Sequence, residues 1–163
     1  MSHQKLRRFA ALIFVNTILF VSACTLIQKN NYQHQTYTAS LKGGVLVTFE
    51  AGGAEFNAWV TNPDAIVQIY AVRSGEGIAN IPYGKILAGA GMADHNEPYS
   101  WHLDPKEFSM LDQPLAACNS DPLEVEQNLN TYLSNDDYFC PADAMVIRVI
   151  DYRVPPPHIL TGY

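Results

Sequence analysis

The side chains best suited to chemistry are concentrated between residues 94 and 104, where two histidines and several carboxylates follow one another. A histidine beside a carboxylate is a common arrangement in metal sites and in acid/base catalysis. If residues 99–104 form a strand, His102 and Asp104 lie on one face and could both reach one metal ion or one proton. Trp101 and His102 are therefore the candidate ligand-binding residues.

A structural role competes with this chemistry because Asp104 is followed by proline and, three positions on, by glutamate. Asp121 begins the same pattern, and Asn62 also precedes a proline. Such residues accept hydrogen bonds from the unpaired N–H groups at the start of a helical turn, and proline suits the first turn. Asp104 is therefore predicted to cap a turn, and a histidine at position 102 fits an ordinary strand. No residue is assigned a catalytic or metal-binding role, and no cofactor is predicted.

Residues 94–97 lie between a glycine-rich and a proline-containing segment and are predicted to form a solvated hairpin loop. A calcium loop would need oxygen ligands at defined spacings, which this stretch does not have. The nearby Gly89 and Gly91 predict a place where backbone or a ligand approaches closely.

The first 24 residues have the pattern of a bacterial lipoprotein signal. A basic start is followed by an uncharged, mostly apolar run over residues 9–23, which is short for a membrane span. The run ends in Val21-Ser22-Ala23-Cys24, which resembles a lipobox, and this resemblance implies that Cys24 becomes the acylated N-terminus. Thr25 rather than aspartate follows, which favours the outer membrane, facing the periplasm or the cell surface. An ordinary secretory signal with a chance cysteine is the alternative.

Two cysteines remain once Cys24 is assigned to the anchor, namely Cys118 and Cys140. In an oxidising compartment such a pair is most simply a disulfide. A metal pair and a catalytic nucleophile are the alternatives, although a zinc site needs more ligands than two distant cysteines.

Composition limits the class of partner. A chain of 163 residues with 48% hydrophobic residues can form one domain with a core. The formal net charge is −6, and the charges in the first 23 residues are all basic, so the rest is more acidic still. An acidic chain without clustered Lys and Arg is not expected to bind nucleic acid. The expected partners are the membrane, through the lipid anchor, and an unknown protein or small-molecule ligand.

Hydrophobic periodicity predicts an α+β domain over residues 41–153, with a flexible tether at 24–40 and a Pro-rich tail at 154–163. Its sheet is expected to be mostly antiparallel or mixed, with two helices packed on one face and one disulfide. The expected elements are a hairpin around Gly52-Gly53, a helix from Asn62, strands at 83–92 and 99–104, a helical turn at 106–111, a short strand at 115–118, a helix from Asp121 to about 133, and a strand at 144–154.

Several short sequence motifs together resemble those of a known family. They are the Asn62-Pro63 step, Trp101-His102-Leu103-Asp104-Pro105, Cys118-Asn119-Ser120, Val125-Glu126 and Phe139-Cys140-Pro141. Residues from about 55 to 151 are similar to the N-terminal domain type named after the "BP seventy-four" calmodulin-binding protein, found also in small secreted bacterial proteins. This chain has Asn119 and Ala142 where the family pattern has Asp and Trp. The resemblance implies a shared fold and the Cys118–Cys140 pairing, and it implies no enzyme activity.

The leading functional hypothesis is a membrane-anchored lipoprotein with a small extracytoplasmic binding domain. The first alternative is a hydrolase-like or metal-dependent enzyme centred on His102. The second is an interaction module that uses the Pro155–Pro157 segment, although docking of that tail on its own domain, or disorder of the tail, is the simpler expectation.

Overall fold

The structure is a computed structural model and describes residues 40–116, 118 and 121–161. The predicted signal peptide, Cys24 and the tether through residue 39 lie outside the described residues. None of the helices in the described ranges is long and apolar enough to cross a membrane.

In chain order, the elements of the described residues are β1 (Val45–Ala51), β2 (Ala54–Val60), α1 (Pro63–Arg73), β3 (Ile81–Ala88), a 3-10 turn (Met92–Asp94), β4 (Trp101–Leu103), β5 (Ser109–Leu111), α2 (Pro122–Gln127), α3 (Leu129–Asn135), β6 (Tyr138–Phe139), β7 (Met145–Asp151) and β8 (His158–Thr161). All strand pairings among them are antiparallel. The predicted α+β class is confirmed.

The first sheet has the strand order β2-β1-β7-β8. Its β1–β2 hairpin turns at Gly52 and Gly53, whose φ angles of 59° and 78° suit glycine, as the sequence predicts. Alternate β1 residues such as Val47 and Phe49 are fully buried in the core. The Pro-rich tail docks on its own domain, because β8 pairs with β7 from Asp151↔His158 to Arg148↔Thr161.

The second sheet is built around β3. Its start pairs with β5, its middle with β6 and its end with β4. The core lies between these elements and contains the buried aromatic side chains Phe49, Phe56, Trp101, Phe108 and Phe139. The strands thus divide between two sheets that share one core.

The predicted helix starts are confirmed. Asn62 caps α1 by accepting a hydrogen bond from the Asp64 N–H at 3.1 Å, and Asp121 caps α2 by accepting one from the Glu124 N–H at 2.7 Å. The second helix is interrupted at Asn128, where φ is −117° and ψ is 21°. The Asn128 amide donates to the Glu124 carbonyl oxygen at 3.0 Å, and such a local bond competes with helix continuation.

Two local predictions are wrong. The sequence predicts a helical turn at 106–111, but residues 109–111 form β5 because they pair with the start of β3. The expected short strand at 115–118 is instead a turn in which the Cys118 N–H donates to the Leu115 carbonyl oxygen at 3.0 Å. In both cases a partner distant in sequence, or the cysteine link, decides the conformation.

The predicted disulfide is confirmed. Cys118 and Cys140 are bonded, with a Cα–Cα distance of 4.7 Å, and both are buried next to Ile81 at the start of β3. Closing a chain loop of this length stabilises the fold by about 3 kcal/mol through the entropy of the unfolded chain. The bond therefore ties the Cys118 turn to the chain between β6 and β7.

The charged residues near the end of β7 have structural partners. Arg153 makes a two-pronged ion pair with Asp151, whose carboxylate also accepts a hydrogen bond from the Tyr70 hydroxyl at 2.7 Å. Hydrogen bonding from Arg153 is the main reason that the pKa of Asp151 is lowered to about 2. Arg148 donates from Nε to Thr48 Oγ1 at 3.2 Å across the sheet.

Candidate functional site

The second sheet turns one side of its strands toward solvent. Along β3 the core-facing residues Gly84 and Ile86 alternate with residues that are only partly buried. We call this side the outer face; it consists of Tyr83, Lys85 and Leu87 on β3, His102 on β4 and Tyr138 on β6. His102 lies directly opposite Leu87, and Tyr138 lies opposite Lys85.

The two candidate ligand-binding residues have different positions. Trp101 is 0% exposed and packs against Phe139 and Tyr99, with ring centroids 5.1 and 5.4 Å away. His102 is half-buried on the outer face, and its Nδ1 lies 2.7 Å from the Gly89 carbonyl oxygen. Because a carbonyl oxygen can only accept, Nδ1 carries the proton, and Nε2 of the neutral ring is an acceptor. Of the two, His102 is the residue that a ligand on the outer face would meet.

Asp104 is a cap, as predicted. Its Oδ1 accepts hydrogen bonds from the Lys106 N–H at 2.8 Å and from the Glu107 N–H at 3.4 Å. An aspartate engaged with backbone N–H groups in this way holds the turn between β4 and β5. The Asp104 carboxylate is therefore engaged in capping and not in the pair with His102 that the sequence suggested.

The remaining side chains of the outer face form a connected polar and aromatic group. The rings of Tyr83 and Tyr138 stack nearly parallel, with centroids 4.8 Å apart. The Tyr138 hydroxyl donates to Glu107 Oε2 at 3.2 Å, which is the main reason that its pKa is raised. Lys85 forms an ion pair with Asp136, and the hydrogen bond to that carboxylate raises the lysine pKa. The face thus combines aromatic rings, donors and acceptors in solvent.

A loop of residues 89–100, which we call the β3–β4 loop, lies beside His102. The expectation that residues 94–97 are solvated is wrong for His95 and Asn96, which are 1% and 0% exposed. The Asn96 Oδ1 accepts a hydrogen bond from the Asn57 N–H at 2.7 Å, and its Nδ2 donates to the Trp101 carbonyl oxygen at 2.8 Å. One amide side chain thereby fastens the loop to both β2 and β4.

His95 fills the inside of the loop. Its Nδ1 donates to the Met92 carbonyl oxygen at 3.2 Å, and its ring lies edge-on to that of His102, with centroids 5.8 Å apart. Burial is the main reason that the pKa of His95 is lowered to about 4, and the charge of His102 lowers it further, against the opposing effects of the Met92 carbonyl and Asp94. His95 is therefore neutral at neutral pH.

The glycines of the loop show what the sequence could and could not indicate. The predicted close approach of backbone or a ligand at Gly89 and Gly91 is wrong as stated: a Cβ at Gly91 would overlap the His95 ring, and a Cβ at Gly89 would meet nothing within 4 Å. The sequence did not identify His95 as the group that approaches. Nothing local marks Asn96 either, since its partner Asn57 is 39 residues away in the sequence.

Within residues 40–116, 118 and 121–161, no group of three or more His, Cys, Asp or Glu side chains is placed to hold a metal ion. The chemistry that the described site offers is that of recognition: stacking on tyrosine, ion pairing, and hydrogen bonding at the His102 ring.

The fold and site define a small, disulfide-linked α+β domain with one polar, aromatic sheet face. A family model described as the BP seventy-four N-terminal domain matches residues 44–153. Because this match covers more than half of the sequence, the chain belongs to that domain family, as its motifs indicate. No curated protein and no solved structure matches the chain.

Proposed function

We propose that this chain is a bacterial lipoprotein, anchored in the outer membrane through an acylated Cys24, whose domain binds an extracytoplasmic protein or small molecule through the outer face. The observation that carries the extracytoplasmic part is the buried Cys118–Cys140 disulfide. Structural disulfides persist in oxidising compartments and are rare in the bacterial cytoplasm. The palmitate-type anchor rests on the lipobox-like residues that end at Cys24.

We choose the outer face because of the aromatic and charged side chains that it exposes to solvent. Tyr138 is 37% exposed on a strand whose neighbouring residue, Phe139, is fully buried. Exposed aromatic rings with nearby paired charges are typical of binding surfaces, because they offer large contact area and directional hydrogen bonds. Nucleic acid is a poor partner for this face, since its carboxylates Glu107 and Asp136 would repel a phosphate backbone.

The alternative of an enzyme centred on His102 has less support. The ring that lies against His102 is that of His95. Asp104, the carboxylate two positions further along the sequence, is engaged with backbone N–H groups. A base without an orienting acid partner is a poor starting point for acid/base catalysis.

The anchor is tested by expressing the full chain with and without Cys24→Ala in a Gram-negative host fed a labelled fatty acid. We expect the label on the unaltered chain only. The control is the Cys118–Cys140 disulfide, which should form in both. Fatty-acid labelling that survives the substitution would overturn the proposed anchor.

The binding face is tested in intact cells with a photoreactive amino acid placed at position 138. The matched control carries it at position 67, where Val67 is 68% exposed on α1, outside the outer face. We expect cross-linked adducts from position 138 that are absent or much weaker from position 67. Equal yields from the two positions, or none from position 138, would contradict the proposal.

A further inference from the structure

Two imidazoles hold the β3–β4 loop in place, that of His95 within the loop and that of His102 on β4. His95 donates from Nδ1 to the Met92 carbonyl oxygen, and His102 donates from Nδ1 to the Gly89 carbonyl oxygen. Met92 and Gly89 belong to the loop itself, so each ring fastens loop backbone. The two rings also meet one another, with centroids 5.8 Å apart.

The surroundings of His95 tolerate a neutral ring far better than a charged one. The ring is 1% exposed and lies against the Cα of Gly91, where a Cβ would not fit. A buried charge loses its hydration, and a second charge on His102 at this distance would add repulsion. Protonation of His95 therefore works against the docked loop.

The loop also contains backbone strain that only the docked form supports. Ala93 and Asp94 have φ angles of 58° and 51°, in the left-handed region that residues with a Cβ rarely adopt. Such conformations persist where surrounding contacts hold them. When the side-chain contacts of His95 and Asn96 weaken, release of the loop relieves this strain.

We propose that the β3–β4 loop is an acid-sensitive latch, docked while His95 is neutral and released when it takes up a proton. Release breaks the Asn96 contacts and uncovers the edge of β2 at the Asn57 N–H. This release does not depend on any ligand on the outer face.

The direction follows from the groups that face His95. His102 from β4 disfavours its protonation, whereas Asp94 and the Met92 carbonyl, both in the loop, favour it, and burial outweighs them. The pKa of His95 is about 4 in the docked loop and 6.5 when exposed. The released loop therefore binds the proton more tightly, so the docked form is fully favoured above pH 6.5 and loses ground as pH falls toward 4.

The test is amide hydrogen exchange, measured by NMR on the full chain with its disulfide intact, from pH 7.5 to 4. Protection factors, which remove the intrinsic pH dependence of exchange, are compared for the Asn57 amide and the Val47 amide of β1. For a shift from 6.5 to about 4, we expect the Asn57 protection factor to fall roughly 100-fold between pH 7.5 and 4. The Val47 amide, in the middle of the first sheet, should stay far more protected than the Asn57 amide at every pH, because it exchanges only through global unfolding.

The variant His95→Gln removes the titrating ring and should leave the Asn57 protection factor independent of pH over the same range. A constant Asn57 protection factor in the unaltered chain would overturn the proposal. Equal protection factors at Asn57 and Val47 would also overturn it, because that result means that both amides exchange through global unfolding rather than through loop release. If His95→Gln fails to fold, the comparison of the Asn57 and Val47 amides in the unaltered chain still tests the proposal.

Discussion

Two connections in this domain, β1–β2 and β3–β4, reverse the chain between paired antiparallel strands, and they do so by different means. The β1–β2 connection reverses the chain with Gly52 and Gly53 alone, both at positive φ. The β3–β4 connection uses residues 89–100 and is held from inside by buried polar side chains. The first depends on backbone freedom, with one exposed hydrogen bond from the Gly52 N–H to Asp143 Oδ2 at 3.0 Å. The second depends on hydrogen bonds and on a neutral histidine, so its stability is sensitive to pH and to single side-chain changes.

The largest expected effect comes from Asn96→Ala. The substitution removes the partners of the Asn57 N–H and the Trp101 carbonyl oxygen, both in buried surroundings. Leaving two such groups unpaired should lower the free energy of unfolding by about 4 kcal/mol. Chemical denaturation of the disulfide-bonded chain measures it.

The matched control is Asn130→Ala, at an exposed position on α3. It should change the free energy of unfolding by at most about 0.5 kcal/mol. Equal effects of the two substitutions would mean that Asn96 does not fasten the loop. That result would contradict the claim that buried side-chain hydrogen bonds hold the β3–β4 connection.

The second effect is a pH dependence that arises from His95 in the β3–β4 connection. The folded-state pKa of His95, about 4, lies below the ordinary value of 6.5, so the unfolded chain binds the proton first. The resulting stabilisation is complete above pH 6.5, and about 3 kcal/mol of it is lost as pH falls from 6.5 to 4. Denaturation at several pH values should show this slope, and His95→Gln should remove it.

Asp151 provides an internal check on that slope. Its pKa is lowered to about 2 from 3.8, chiefly by Arg153, so its contribution is complete above pH 3.8 and is lost below that value. Its window therefore lies below that of His95. A slope that survives in His95→Gln between pH 6.5 and 4 would assign the acid sensitivity to another group.

A pair of glycine substitutions compares the two connections directly. Gly91 and Gly53 both have positive φ angles, 84° and 78°, so replacement by alanine adds backbone strain at both, and Gly91, with ψ of −174°, lies in a region that is essentially restricted to glycine. A Cβ at Gly91 would overlap His95, whereas one at Gly53 meets nothing within 4 Å. Gly91→Ala should therefore be more destabilising than Gly53→Ala by about 2 kcal/mol. Thermal or chemical unfolding of both variants measures the difference, and no difference would contradict the packing of His95 beneath Gly91.

The same contrast explains how far the sequence predicts this fold. The Gly-Gly turn, the caps at Asn62, Asp104 and Asp121, and the antiparallel α+β class follow from local rules, in which neighbouring residues decide the conformation. The disulfide follows from the pair of cysteines, Cys118 and Cys140, that remains once Cys24 is set aside. These predictions succeeded because their causes lie within a few residues or in covalent chemistry.

What the sequence did not predict depends on distant partners. Residues 109–111 pair with β3, and Asn96 reaches Asn57 in β2. The candidate site was found only in part: His102 lies on the outer face, but Tyr83 and Tyr138 carry no motif and come together only through β3–β6 pairing. Burial of His95 depends on the loop as a whole, which no local pattern encodes.

The smallest expected effect is that of His102→Ala. This change removes one hydrogen bond, to the Gly89 carbonyl oxygen, at a half-buried position and should lower the free energy of unfolding by about 1 kcal/mol. His158→Ala, at an exposed position on β8, is the control and should be close to neutral. A loss as large as that of Asn96→Ala would mean that His102, rather than Asn96, fastens the loop.

The most direct measurement is an NMR titration of the His95 ring Cε1–H in the folded, disulfide-bonded chain. A buried, neutral imidazole in a docked β3–β4 loop predicts a midpoint near pH 4. A midpoint near the ordinary value of 6.5, with the domain still folded, would show that His95 is solvated and would contradict the buried loop on which the contrast rests.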